Sequence, residues 1–163
     1  MYKASRILVP VDFSDVARAA ISMAIQVADR HGAELIFLHV DAGLEKQIES
    51  EILYSPESHG SEKSIIAQEA MLKDAVDLEV TRAAEAGAVL NLGRVRTIVS
   101  GGDPVGVALQ TIDAEGVDLV VMGTHGPQGL KGMILGSTAE QLVKRAGCSV
   151  FVVKPTGLPY LRD

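Results

Sequence analysis

The sequence predicts an open, doubly wound α/β domain, a five-stranded parallel sheet with helices on both faces. Three observations lead there. Short apolar runs alternate along the chain with stretches whose apolar residues recur at helical spacing, about five of the first kind and four of the second. Hydrophobic residues make up 47 % of the chain but aromatics only 4 %, so the core is aliphatic, as in parallel sheets covered on both faces. The connections from strand to helix to strand are mostly short, as right-handed parallel units require. A chain of 163 residues makes one domain, residues 1–163, with a sizeable core.

Residues 6–11, Arg-Ile-Leu-Val-Pro-Val, form the first apolar run. Ser14 is placed to cap the helix that follows. In it Ala17, Ala20, Ile21, Ala24 and Ala28 share one face, and Gly32 ends it. Residues 34–40 make the second strand. From 41 to 62 the pattern dissolves into charged and Ser/Gly/Pro residues, a variable excursion with a short helix around 44–53. A long helix is expected over residues 64–86, stopped by Gly87. Residues 94–99 alternate polar and apolar, which suits a third strand at a sheet edge. Asp103 and Pro104 are the N-cap and first residue of the next helix, which buries Val105, Ala108, Leu109 and Ile112 and closes at Gly116. Residues 117–122 form the fourth strand. The last helix opens at Ser137, with Ser137 and Glu140 as a capping box and Ala139, Leu142, Val143 and Ala146 inward. Gly147 ends it, residues 149–153 form the fifth strand, and the tail over 155–163 reads as irregular.

Composition excludes several classes. A net charge of -6 argues against nucleic acid or anionic membrane as partner, since both need clustered Lys and Arg. The single cysteine, Cys148, rules out a disulfide framework within the chain and suits a reducing compartment. It reads as core rather than reactive thiol. No apolar stretch reaches the ~20 residues of a membrane span, and no secretory leader is seen; a cytoplasmic location is expected. His31, His39 and His59 lack ligand spacing, so no metal site is expected from the protein alone.

The chemistry concentrates after the fourth strand. That strand runs into Gly123-Thr124-His125-Gly126, nine residues intervene, and Gly136-Ser137-Thr138 opens the last helix. A helix N-terminus carries unpaired N–H groups and partial positive charge, and glycines let a ligand approach the backbone. The pattern reads as a phosphate cradle, with Lys131 its one fixed charge between Gly126 and Gly136. In a doubly wound fold, ligands sit where the strand order reverses, which sets Pro10, Val11 and Asp12 opposite Gly123 to Gly126.

The spacing Gly123-x2-Gly126-x9-Gly136-Ser137 resembles the ATP-binding signature of the universal stress protein family. So do the opening Ile7-Leu8-Val9-Pro10-Val11-Asp12-x-Ser14 and the ending Cys148-x-Val150-x-Val152-Val153-Lys154. The resemblance covers nearly the whole chain and implies a Rossmann-like, adenine nucleotide alpha-hydrolase-like fold. It implies that Asp12 accepts hydrogen bonds from the adenine edge, with Val11 and Val40 as apolar walls and Met122 behind the nucleotide. Gly123 and Gly126 would lie against ribose and phosphates, and Gly136, Ser137 and Thr138 would donate to the phosphates. It implies a homodimer pairing the last strand, residues 150–154, across a two-fold axis. Phe13 departs from the family pattern, standing where many members have glycine, beside the base pocket.

The function implied is an ATP-binding regulatory stress protein, with Mg²⁺ bridging the phosphates and at most slow hydrolysis, since no catalytic base or arginine fork is placed by sequence. The alternative is a dimeric interaction scaffold of the same fold without nucleotide. Neither names a protein partner. Each residue also has a structural use: Gly123 and Gly126 as turn residues, Asp12 as support for the cap at Ser14, Ser137 as a cap with Glu140, His125 as a backbone-bonded loop residue. Four other readings are set aside. Ser100-Gly101-Gly102-Asp103 looks like the phosphate loop of ATP pyrophosphatases but follows the wrong strand. A receiver domain needs an aspartate at the end of its third strand. Walker A and Gly-x-Gly-x-x-Gly patterns are missing.

Overall fold

The computed structural model describes residues 3–124 and 135–154. Five strands, β1 (Arg6–Pro10), β2 (Glu34–Asp41), β3 (Val95–Gly101), β4 (Leu119–Gly123) and β5 (Ser149–Val153), form one parallel sheet in the order β3-β2-β1-β4-β5. The helices are α1 (Asp15–His31), α2 (Leu44–Tyr54), α3 (Gly60–Glu85), α4 (Pro104–Glu115) and α5 (Ser137–Arg145). The expected fold class holds, and β3 lies at one edge and β5 at the other.

Strand residues alternate between the two faces. Ile7, Val9, Leu35, Phe37, Leu119 and Val121 pack with α1 and α3. Leu8, Ile36, Leu38, Val120 and Met122 pack with Ala108, Ile112, Ala139 and Leu142 of α4 and α5. Local chemistry sets the helix ends. Ser14 accepts from Ala17 N–H at 3.1 Å, and Asp103 from Gly106 N–H at 2.7 Å. Gly32 (φ 66°) and Gly116 (φ 63°) close α1 and α4 in the left-handed region that favours glycine.

Four expectations are corrected. The N-cap of α5 is Gly136, not Ser137, so the capping box does not form; Glu140 pairs instead with Lys144 at 2.5 Å. The cause is tertiary: Gly136 N–H donates to Thr124 O at 2.6 Å, pinning the chain one residue earlier. Val143 is 49 % exposed, because α5 buries only Ala139 and Leu142. The 41–62 excursion is mostly helix: α2 forms as expected, but α3 begins at Gly60 rather than 64. Its first turn is capped from outside, since Glu51 of α2 accepts from Ser61 N–H at 2.7 Å and Ser61 Oγ at 2.5 Å. Cys148 is half-buried against the core rather than within it, just before the edge strand β5, and burial, then Asp118 and Asp113, push its thiol pKa up. The 155–163 tail lies outside the described residues.

At the N-terminal end of the sheet Glu34 bridges Arg6 and Arg96, each at 2.9 Å, and Arg96 reaches Glu115 at 2.7 Å. Arg6 hydrogen bonding, opposed by burial, holds Glu34 below its ordinary pKa of 4.5. Arg96 does the same for Glu115. A depressed folded-state pKa contributes stability that is complete above the unfolded value and lost as pH falls through the folded one. Glu34→Gln is therefore expected to flatten the acid limb of stability. Urea midpoints that fall equally steeply below about pH 5 in both proteins would show the network to be neutral.

Candidate functional site

The strand order reverses between β1 and β4, which pair in parallel through Ile7↔Leu119 and Leu8↔Val120. Carboxyl ends of strands on either side of such a reversal open a crevice. Pro10 ends β1 there, and Met122 and Gly123 end β4. By alternation Pro10, Val40 and Met122 fall on the α4/α5 side of the sheet; Pro10 and Val40 are half-buried and Met122 is packed in the core beneath. Val11 goes the other way. Its side chain is buried against α1, its N–H donates to Leu38 O at 2.8 Å, and its carbonyl meets His39 Nδ1 at 2.8 Å. It is no wall of the same surface as Val40.

Asp12 is half-buried just past β1. Its Oδ1 accepts from Ser14 N–H at 3.0 Å and Ser14 Oγ at 2.5 Å, so this oxygen holds the capping serine. No described residue donates to Oδ2. The carboxylate thus has one structural oxygen and one oxygen left for another donor.

Opposite stands the start of α5. Thr124, buried, donates its N–H to Val153 O at 3.1 Å and accepts Gly136 N–H through its carbonyl. The helix therefore begins at the carboxyl end of β4. No side chain caps it, and Glu140 N–H to Gly136 O at 2.9 Å is its first helical bond. The N–H groups of Ser137, Thr138 and Ala139 find no acceptor among the described residues. Three amides at a helix start, with the helix dipole behind them, form an anion site. His125, Gly126 and Lys131 lie outside the described residues.

Gly123 has a reason of its own. A Cβ built there would stand 2.7 Å from Val16 Cγ1 of α1, so the position is glycine for helix packing. Gly101 and Gly102 likewise make room for Glu45 of α2, which accounts for the Ser100-Gly101-Gly102 motif without a phosphate. Sequence reasoning set His39 aside, yet it touches the segment carrying Asp12; its signal was a polar residue in an otherwise apolar strand. Phe13 has φ 61°, in the left-handed region that favours glycine. Among the described residues no group of three or more His, Cys, Asp or Glu could hold a metal, and no helix is long and apolar enough to cross a membrane.

A profile of the universal stress protein family matches residues 3–154. Universal stress protein YxiE of Bacillus subtilis is 31 % identical over 155 residues, covering 92 % of this chain and 99 % of its own. Universal stress protein MJ0577 of Methanocaldococcus jannaschii is 32 % identical over 159 residues, covering 94 % and 96 %. The solved MJ0577 structure superposes with a TM-score of 0.72 at 29 % identity, over 96 % of this chain and all (100 %) of that one. A universal stress protein crystallised with cAMP shares the fold, with a TM-score of 0.61 at 22 % identity over 94 % and 98 % of the two chains. Sequence, sheet order and these likenesses agree from end to end of the described fold: the chain belongs to the universal stress protein family.

Proposed function

We propose that this protein binds ATP with Mg²⁺ in the crevice between β1 and β4 and acts as a nucleotide-dependent regulatory protein in the cytoplasm. The carrying observation is the uncapped start of α5, held at the end of β4 by the Gly136–Thr124 hydrogen bond. Its amides from Ser137 to Ala139 suit phosphate oxygens, and the Thr138 hydroxyl stands in the same turn. Asp12 supplies an acceptor for the 6-amino group of adenine through Oδ2. Half-buried Val40 and Pro10, with Met122 beneath, offer the apolar side a base needs. Gly123, Thr124, His125 and Gly126 would border the sugar and phosphates, with Lys131 near the phosphates; Mg²⁺ would be carried mainly by phosphate oxygens and water. The family likeness to a protein crystallised with cAMP supports an adenine ligand.

Hydrolysis is expected to be slow at most. Arg6 and Arg96 are committed to Glu34 at the far end of the sheet, away from any phosphate at α5. A regulatory protein needs only to hold nucleotide and present a changed surface.

The proposed assembly is a homodimer through residues 150–154. β5 is an edge strand whose backbone groups want a partner, and Phe151 on it is 44 % exposed. Native mass spectrometry of the purified protein tests both parts. A two-chain mass carrying adenine nucleotide, or taking it up from millimolar ATP and Mg²⁺, is the expected result. A single chain that takes up none, with no heat in calorimetry, would overturn the reading.

A further inference from the structure

The four residues joining β1 to α1 carry Asp12, and their conformation is unusual. Phe13 sits at φ 61°, a region that bulky side chains rarely adopt. Strain of this kind persists only where the surroundings enforce it. Here one residue enforces it from both sides of Asp12. The His39 ring lies 4.5 Å from the Phe13 ring, tilted by 43°. Its Nδ1 lies 2.8 Å from Val11 O. A carbonyl only accepts, so Nδ1 carries the hydrogen. That hydrogen is present in both the neutral tautomer and the imidazolium, so the grip survives protonation.

Asp12 is therefore clamped at residue 11 by hydrogen bonding and at residue 13 by ring contact. Its own Oδ1 is fixed to Ser14. With three constraints in place, the direction of Oδ2 is determined. We infer that His39 and Phe13 are positioning residues that aim the Asp12 carboxylate at the base, and so set which purine the site accepts. The inference rests on the nucleotide reading above. A carboxylate aimed at position 6 accepts from the amino group of adenine; hypoxanthine places a 6-oxo acceptor there and its donor at N1–H, one atom along the ring edge, so a fixed aim leaves the carboxylate facing an acceptor. An unpaired buried acceptor is expensive, so aim governs discrimination. The phosphates, held by α5, are common to both nucleotides and report site integrity separately.

The test measures Kd for ATP and for ITP by calorimetry on the wild type and on His39→Leu, His39→Asn and Phe13→Gly. The wild type is expected to prefer ATP by about tenfold or more. His39→Leu and Phe13→Gly should bring the ATP:ITP ratio toward one, mainly by weakening ATP, with ITP nearly unchanged. His39→Asn, which can place an amide N–H where Nδ1 stood, should recover most of the preference. A merely structural role would weaken both nucleotides together and leave the ratio alone. If the wild type binds ATP selectively and the variants keep that ratio, the positioning role is refuted while the nucleotide reading stands. If the wild type binds both equally, Asp12 does not read the base and the inference falls. Binding of neither nucleotide overturns the underlying reading as well.

Discussion

Gly136→Asp is expected to raise the Kd for ATP by about 100-fold or more while leaving the melting temperature unchanged or slightly higher. The backbone at Gly136 has φ -71° and ψ 158°, ordinary extended geometry that aspartate adopts without strain. An aspartate at an N-cap accepts from the amides two and three residues on, which here belong to Thr138 and Ala139. Those are the donors offered to phosphate, and the new carboxylate adds a like charge where the triphosphate must sit. Relative to glycine, such a cap contributes a few tenths of a kcal/mol to stability. Binding and stability should therefore move in opposite directions, which misfolding cannot mimic. Gly136→Asn separates the causes: it occupies the same amides without charge and should lose less affinity than the aspartate. Calorimetric titration beside a thermal melt reads both. Wild-type affinity in the aspartate variant would show that the start of α5 holds no phosphate.

Gly123→Ala tests the opposite kind of glycine. The added Cβ would meet Val16 at 2.7 Å (Cγ1), 3.2 Å (Cβ) and 3.3 Å (backbone carbon), closer than packed carbons tolerate. Overpacking of this kind costs about 1–3 kcal/mol, which in a domain of this size lowers the melting temperature by roughly 2–4 °C per kcal/mol. Val16→Ala removes the nearest atom but not the backbone carbon. The double variant should therefore recover part of the loss, and the two effects should fail to add. Melting curves of the four proteins complete the cycle. An unshifted melt in Gly123→Ala would mean that α1 yields freely, returning this glycine to the ligand.

These two glycines look alike in the sequence, both flanking a loop after an apolar strand, and only their surroundings separate them. Much else was legible. Ser14 and Asp103 cap helices as their neighbours predict, because capping involves residues two or three apart. The alternation over 94–99 marked β3 as an edge, and there Arg96 and Thr97 are exposed and no residue of the strand is fully buried. The neighbouring of β1 and β4, where the strand order reverses, also followed, because parallel crossovers leave few strand orders. Less legible was the excursion after β2. Its second helix starts at Gly60 because Glu51, ten residues back, caps Ser61.

The sequence by itself determined the α/β alternation, the aliphatic two-faced core and the family, all carried by spacing within a few residues. Tertiary structure alone decided the N-cap of α5, through Thr124, and the strained turn at Phe13, through His39, 28 residues from the carbonyl it contacts. Periodicity and turn chemistry are properties of neighbours along the chain. Which orphan amide finds a partner, and which carboxylate oxygen stays uncommitted, depends on groups that meet only once the sheet has assembled.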